Sequence, residues 1–88
     1  MALPLVATQW TVYSRAGCTL CEELLVDLAQ VLGPAAAQVA VIDITDDLDL
    51  ERKYGQRVPV LLADGDFVCA YRLDIERIKP YLDTSGDR

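Results

Sequence analysis

A four-stranded mixed sheet with helices on both faces, in the order βαβαββα, is the α/β fold that three features of this sequence predict. Apolar runs of strand length alternate with helical periodicity, as where Trp10-Thr11-Val12-Tyr13 gives way to Leu20, Leu24, Leu25 and Leu28. Asp64-Gly65 stands between two further apolar runs, a strong hairpin signal. Ile75, Ile78 and Leu82 then repeat at the spacing of a closing helix.

Taken in order, the first strand is expected over about Trp10 to Ser14. A helix follows over about Thr19 to Leu32, with Glu22 and Glu23 in its first turn, where acidic side chains suit the helix dipole, and Gly33-Pro34 stopping it. Val39-Ala40-Val41-Ile42-Asp43-Ile44 is nearly continuous in apolar character, as expected of a strand covered on both faces. A helix separates it from the first strand, which implies parallel pairing through a right-handed crossover. Thr45, Asp46 and Asp47 are N-cap candidates for a short second helix ending near Tyr54, and Gly55 fits a left-handed position after it. Val58 to Leu62 and Phe67 to Tyr71 form the hairpin arms. Asp74 caps the last helix, and Pro80 is expected to kink or shorten it.

The chain has 88 residues, enough for a single domain over 1–88, with a core over about 9–83 and a flexible tail over 84–88. No apolar stretch is long enough to cross a bilayer, and residues 1–9 carry no basic residue and are too short for a secretory signal. A cytoplasmic protein with no membrane partner is therefore expected. Its net charge of −6 includes no cluster of Lys and Arg, which argues against nucleic acid as a partner and favours a monomer. There is no histidine, so a Cys-His nucleophile and mixed Cys/His zinc sites are excluded.

The chemistry concentrates in Cys18-Thr19-Leu20-Cys21, placed where the first strand hands over to the first helix. In a reducing compartment such a pair points to catalysis or metal binding more than to a structural staple. A thiol at a helix N-terminus meets unpaired N–H groups and the positive end of the dipole, which favour the thiolate, the nucleophile of disulfide exchange. Cys21 lies three residues on, near enough to attack a mixed disulfide formed at Cys18, and shares the apolar stripe of Leu24 and Leu28. Cys18 is thus expected to face out and Cys21 to face the core. Cys69, mid-strand among apolar neighbours, reads as a buried inert thiol. Trp10 and Tyr13 read as core or sheet-face aromatics.

This element order, the CxxC at the first junction and Val58-Pro59 opening the third strand together resemble the thioredoxin fold, in its glutaredoxin branch. Tyr13-Ser14-Arg15-Ala16-Gly17-Cys18-Thr19-Leu20-Cys21 is similar to the glutaredoxin active-site segment. The resemblance implies that Cys18 is the exposed nucleophile, Cys21 the resolving thiol and Arg15 a nearby positive charge. It also implies a cis Pro59 against the thiols, with the backbone of Val58 pairing with the thiol substrate. Arg57 and Asp74 are candidates to contact a peptide or glutathione carboxylate or amine. The expected activity is that of a dithiol-disulfide oxidoreductase acting on a disulfide-containing protein or a small thiol, with no metal or organic cofactor. Glutathione enters only as a reductant or co-substrate, and the chain departs from glutaredoxins at its recognition positions. Thr19-Leu20 replaces Pro-Tyr, Arg57 stands where threonine commonly precedes Val-Pro, and no Gly-Gly pair occurs near residues 69–74.

Two other classes remain open on the sequence. A surface CxxC can carry copper(I) or zinc on two thiolates, although Pro59 has no role in such a carrier. Alternatively, a thioredoxin-like interaction module would keep its thiols idle.

Overall fold

Residues 8–82 are described by the computed structural model; the expected tail over 84–88 lies outside them. Strand β1 (Trp10–Ser14) leads into helix α1 (Thr19–Leu32), and strand β2 (Ala40–Asp43) into helix α2 (Leu48–Tyr54). Strands β3 (Val60–Ala63) and β4 (Asp66–Ala70) form the hairpin, and helix α3 (Ile75–Leu82) closes the order. The sheet runs β2-β1-β3-β4, with β1 parallel to β2 and antiparallel to β3, and β3 antiparallel to β4. This is the mixed sheet of the thioredoxin fold.

The two central strands carry the core. Every residue of β3 is buried, because it is paired on both edges and covered on both faces. Trp10 and Val12 of β1, with Leu61 and Ala63 of β3, pack with Leu24 and Leu28 of α1 and Ile78 of α3. Tyr13 points to the other face by strand alternation, and there its ring stacks on Tyr54 of α2 at 4.8 Å between centroids. Helices therefore cover both faces, α1 and α3 on one and α2 on the other. Tyr81 of α3 meets Trp10 edge to face at 5.7 Å, closing the first of these layers.

Local chemistry explains the boundaries. Asp47 caps α2, its carboxylate accepting the Leu50 N–H at 3.1 Å. Asp64 and Gly65, at φ 52° and 86°, make the tight turn between β3 and β4 that needs positive φ at both positions. A bulge between Leu61 and Leu62 shifts the register, so that consecutive Val68 and Cys69 are both buried.

Several expectations are corrected. The apolar run at β2 is not covered on both faces: β2 is an edge strand, and Val41 and Ile42 are exposed. An apolar run of strand length does not by itself say whether neighbours flank it. Gly33 ends α1 as expected, but the chain continues as a 3-10 helix over Gly33–Gln38, since Pro34 occupies a first-turn position where its missing N–H costs nothing. Gly55 has φ −52°, ordinary helical backbone and not a left-handed cap. Pro80 stands inside α3, which is not cut short there but continues to Leu82; on the apolar side of this helix Ile78 is buried and Ile75 exposed. Val58 and Pro59 precede β3 instead of forming its first residues, and Tyr71, at φ 70°, has already left β4.

Candidate functional site

The site is built on the loop between β1 and α1. Gly17, at φ 77°, turns the chain, and the Cys18 N–H donates to the Arg15 carbonyl at 3.2 Å. This sets Cys18 as the N-cap of α1, with extended backbone at φ −91° and ψ 107°. Its carbonyl accepts the Glu22 N–H at 3.1 Å, and its sulfur accepts the Cys21 N–H at 3.1 Å. A sulfur thus occupies the place where a cap oxygen usually satisfies a free helix N–H.

Cys18 and Cys21 are joined as a disulfide, with Cα atoms 5.2 Å apart, inside the usual range for such a bridge. Cys21 is 1 % exposed, among the core side chains, whereas Cys18 is half-buried. The expected asymmetry is present: one sulfur at the surface of the helix start, the other behind it.

Register gathers the remaining residues. Tyr13 of β1 pairs with Val60 of β3, so the segment entering β3 and the segment leaving β1 lie at the same end of the sheet. That entering segment is Val58-Pro59, whose peptide bond is cis. Pro59 is buried, its carbonyl accepts the Tyr71 N–H at 2.9 Å, and Val58 is half-buried. Ser14 pairs with Asp43 of β2, which brings that carboxylate to the same end.

Arg15 is not a free cation. Its Nη1 and Nη2 donate to Glu51 Oε2 and Oε1 at 2.5 and 2.9 Å, and Nη2 also donates to the Gly55 carbonyl at 2.9 Å. Glu51 and Asp43 are functional candidates that sequence reasoning misses. Glu51 is 36 positions from Arg15, and no local pattern links them. Asp43 has a readable local signal, an aspartate two residues before Thr45, whose N–H donates to its carboxylate at 2.8 Å. Arg57 lines a polar groove with Arg52, Lys53, Gln56 and Tyr71, while the Asp74 carboxylate accepts the Glu76 N–H at 3.1 Å, a capping role.

Both carboxyls titrate below the ordinary range. Hydrogen bonding from Arg15 lowers Glu51, and hydrogen bonding from Thr45 lowers Asp43, with the Arg15 charge adding to each. A depressed folded-state pKa contributes stability that is complete above the unfolded value and is lost as pH falls through the folded value. Melting temperature is expected to be flat down to about pH 5 and to fall below it, with a shallower fall for Asp43→Asn and Glu51→Gln. Thermal melts from neutral to acid pH check this.

Cys69 is 6 % exposed, and burial pushes its thiol up from the ordinary value. After reduction, alkylation of the native protein is therefore expected to spare Cys69, which reacts only once the chain is unfolded. Mass spectrometry of alkylated peptides reads the difference. No group of three or more metal-ligating side chains gathers among the described residues; the soft donors among them are Cys18 and Cys21 after reduction, and the buried Cys69. No described helix is long and apolar enough to cross a membrane.

Residues 9–83 match the family model of the glutaredoxin-like domain (DUF836). Among solved structures, the chain is similar to a protein from Nitrosomonas europaea determined by solution NMR, at 35 % identity and TM-score 0.80, covering 94 % of this chain and 100 % of the other. An X-ray structure of a structural genomics target from X. campestris is 32 % identical, with TM-score 0.63 over 88 % of this chain and 99 % of that one. Oxidized glutaredoxin 2 from Chlamydomonas reinhardtii, at 22 % identity and TM-score 0.54, covers 73 % of this chain and 64 % of its own length, and shares the fold. No curated protein matches the chain.

Proposed function

Since the chain belongs to the glutaredoxin-like domain family (DUF836), we propose that it is a dithiol-disulfide oxidoreductase with Cys18 as nucleophile and Cys21 as resolving thiol. The observation that carries this reading is the start of α1, where the Cys18 sulfur accepts a helix N–H and is bonded to a buried Cys21. The N–H and the helix dipole that meet the sulfur in the disulfide also favour a thiolate after reduction.

The reaction then runs in two exchanges. The Cys18 thiolate attacks one sulfur of a substrate disulfide, forming a Cys18–substrate disulfide and expelling the other substrate sulfur as thiolate. The Cys21 thiolate next attacks the Cys18 sulfur, releasing the second substrate thiolate and forming the Cys18–Cys21 disulfide. The substrate gains two electrons and, from solvent, two protons; an external thiol reductant returns both electrons to the protein. Val58, whose backbone precedes Pro59 at the same end of the sheet, is the proposed pairing edge for the substrate chain. Arg15 serves the site through its loop. The partner is a disulfide-containing protein, which accepts the electrons, or a small thiol, which supplies them, in the reducing cytoplasm, and the protein acts as a monomer.

Titration against glutathione redox buffers, with mass spectrometry of the trapped species, tests the reading. Reversible interconversion of dithiol and disulfide at Cys18 and Cys21 is expected, and a glutathione adduct at Cys18 would identify the reductant. A protein that binds copper(I) stoichiometrically while failing to reduce insulin disulfides would overturn the proposal in favour of a metal carrier; failure in both assays would leave an interaction module.

A further inference from the structure

Arg15 opens the loop that ends in Cys18, yet its side chain is committed to another element. The guanidinium grips Glu51 through both Nη atoms and reaches the Gly55 carbonyl, so it is clamped against the end of α2. Its main chain meanwhile closes the turn into α1, the Arg15 carbonyl accepting the Cys18 N–H. One residue therefore ties the cysteine-bearing helix start to α2. Gly55 gives the clamp its room: its backbone is ordinary helical, but a Cβ there would run into both the carbonyl and the carboxylate oxygens of Glu51.

The clamp has an electrostatic consequence. A free guanidinium near a thiol favours the thiolate, whereas one held bidentate by a carboxylate forms a neutral pair whose field weakens quickly with distance. Asp43 places a second negative charge near Arg15, and Glu22 and Glu23 follow Cys18 in the first turns of α1. Carboxylates thus outnumber the one cation of this loop.

We propose that Glu51 is a positioning residue for the disulfide chemistry: by clamping Arg15 it fixes the loop leading into Cys18 and withholds the Arg15 charge from the Cys18 sulfur. This rests on the reading of Cys18 as the nucleophile, but its test does not use turnover. In a Cys21→Ser background, thiolate absorbance against pH follows Cys18, because the buried Cys69 titrates higher. Glu51→Gln is expected to lower the Cys18 midpoint by about half a pH unit, by freeing the guanidinium charge at a partly solvated site. Arg15→Gln, which leaves Glu51 uncompensated, is expected to raise it. The double variant should return near the parent value, as a coupled pair requires. A support role alone would not move the midpoint in opposite directions.

An unchanged or raised midpoint in Glu51→Gln overturns the proposal, and so does a double variant that keeps the whole downward shift, since the effect would then not run through Arg15. The pair is partly exposed, at 35 % and 27 % of side-chain surface, so both substitutions are compatible with folding, and Arg15→Gln reads the same pair from the other side. Retained reductase activity in Cys18→Ser would instead remove the reading of Cys18 as the nucleophile while leaving this titration interpretable.

Discussion

Replacing Cys18 by serine is expected to lower disulfide reduction by more than about 1,000-fold, because a hydroxyl at the same place has no accessible anion near neutral pH. The Cys18 sulfur sits at the N-cap of α1, where the Cys21 N–H already points at it. A serine oxygen would cap the helix as well or better, so the fold should survive while the chemistry does not. Serine at Cys21 is expected to behave differently. The first exchange still occurs, but the mixed disulfide on Cys18 has no neighbouring thiolate to resolve it and should accumulate as a covalent adduct. Insulin reduction and intact-protein mass spectrometry of the two variants separate these outcomes. A Cys18→Ser protein that reduces insulin at the parent rate would falsify the assignment of the nucleophile.

The second large effect concerns stability. Leu28 is 1 % exposed and packs in the cluster that joins α1 to β1, β3 and α3. Leu28→Ala removes apolar contacts on a site walled by rigid strands, so the cavity relaxes only partly, and the loss should lie between about 2 and 5 kcal/mol. In a domain of this size each kcal/mol corresponds to roughly 4–8 °C in melting temperature. A fall of at least about 8 °C is therefore expected in a calorimetric or dichroism melt. An exposed position on the same helix gives the control: Val26→Ala, on the solvent side, should move the midpoint little.

The two cysteines of the site sit in different surroundings within one helix turn. Cys18 is half-buried at the helix start, while Cys21 is buried among the core side chains. Cys69 shares the thiol chemistry but not the setting, since it lies in β4 beneath α3 instead of at a helix start. Position relative to the helix, and not the presence of sulfur, distinguishes the three.

Local chemistry was legible in the residues themselves. The bounds of β1 and α1, the Asp47 cap, the Asp64-Gly65 turn and the outward and inward settings of Cys18 and Cys21 all depend on neighbours within one or two turns. Capping, period and turn geometry act over that range, so sequence alone determined them. Tertiary structure decided which apolar run became the centre of the sheet. It placed β3 there and β2 at an edge, because pairing depends on strands far apart in the chain. It also turned Arg15 from an apparently free charge into a clamped one, since its partner Glu51 is brought near only when α2 packs over β1. Through-space electrostatics and strand order belong to the folded chain, and no spacing of residues encodes them directly.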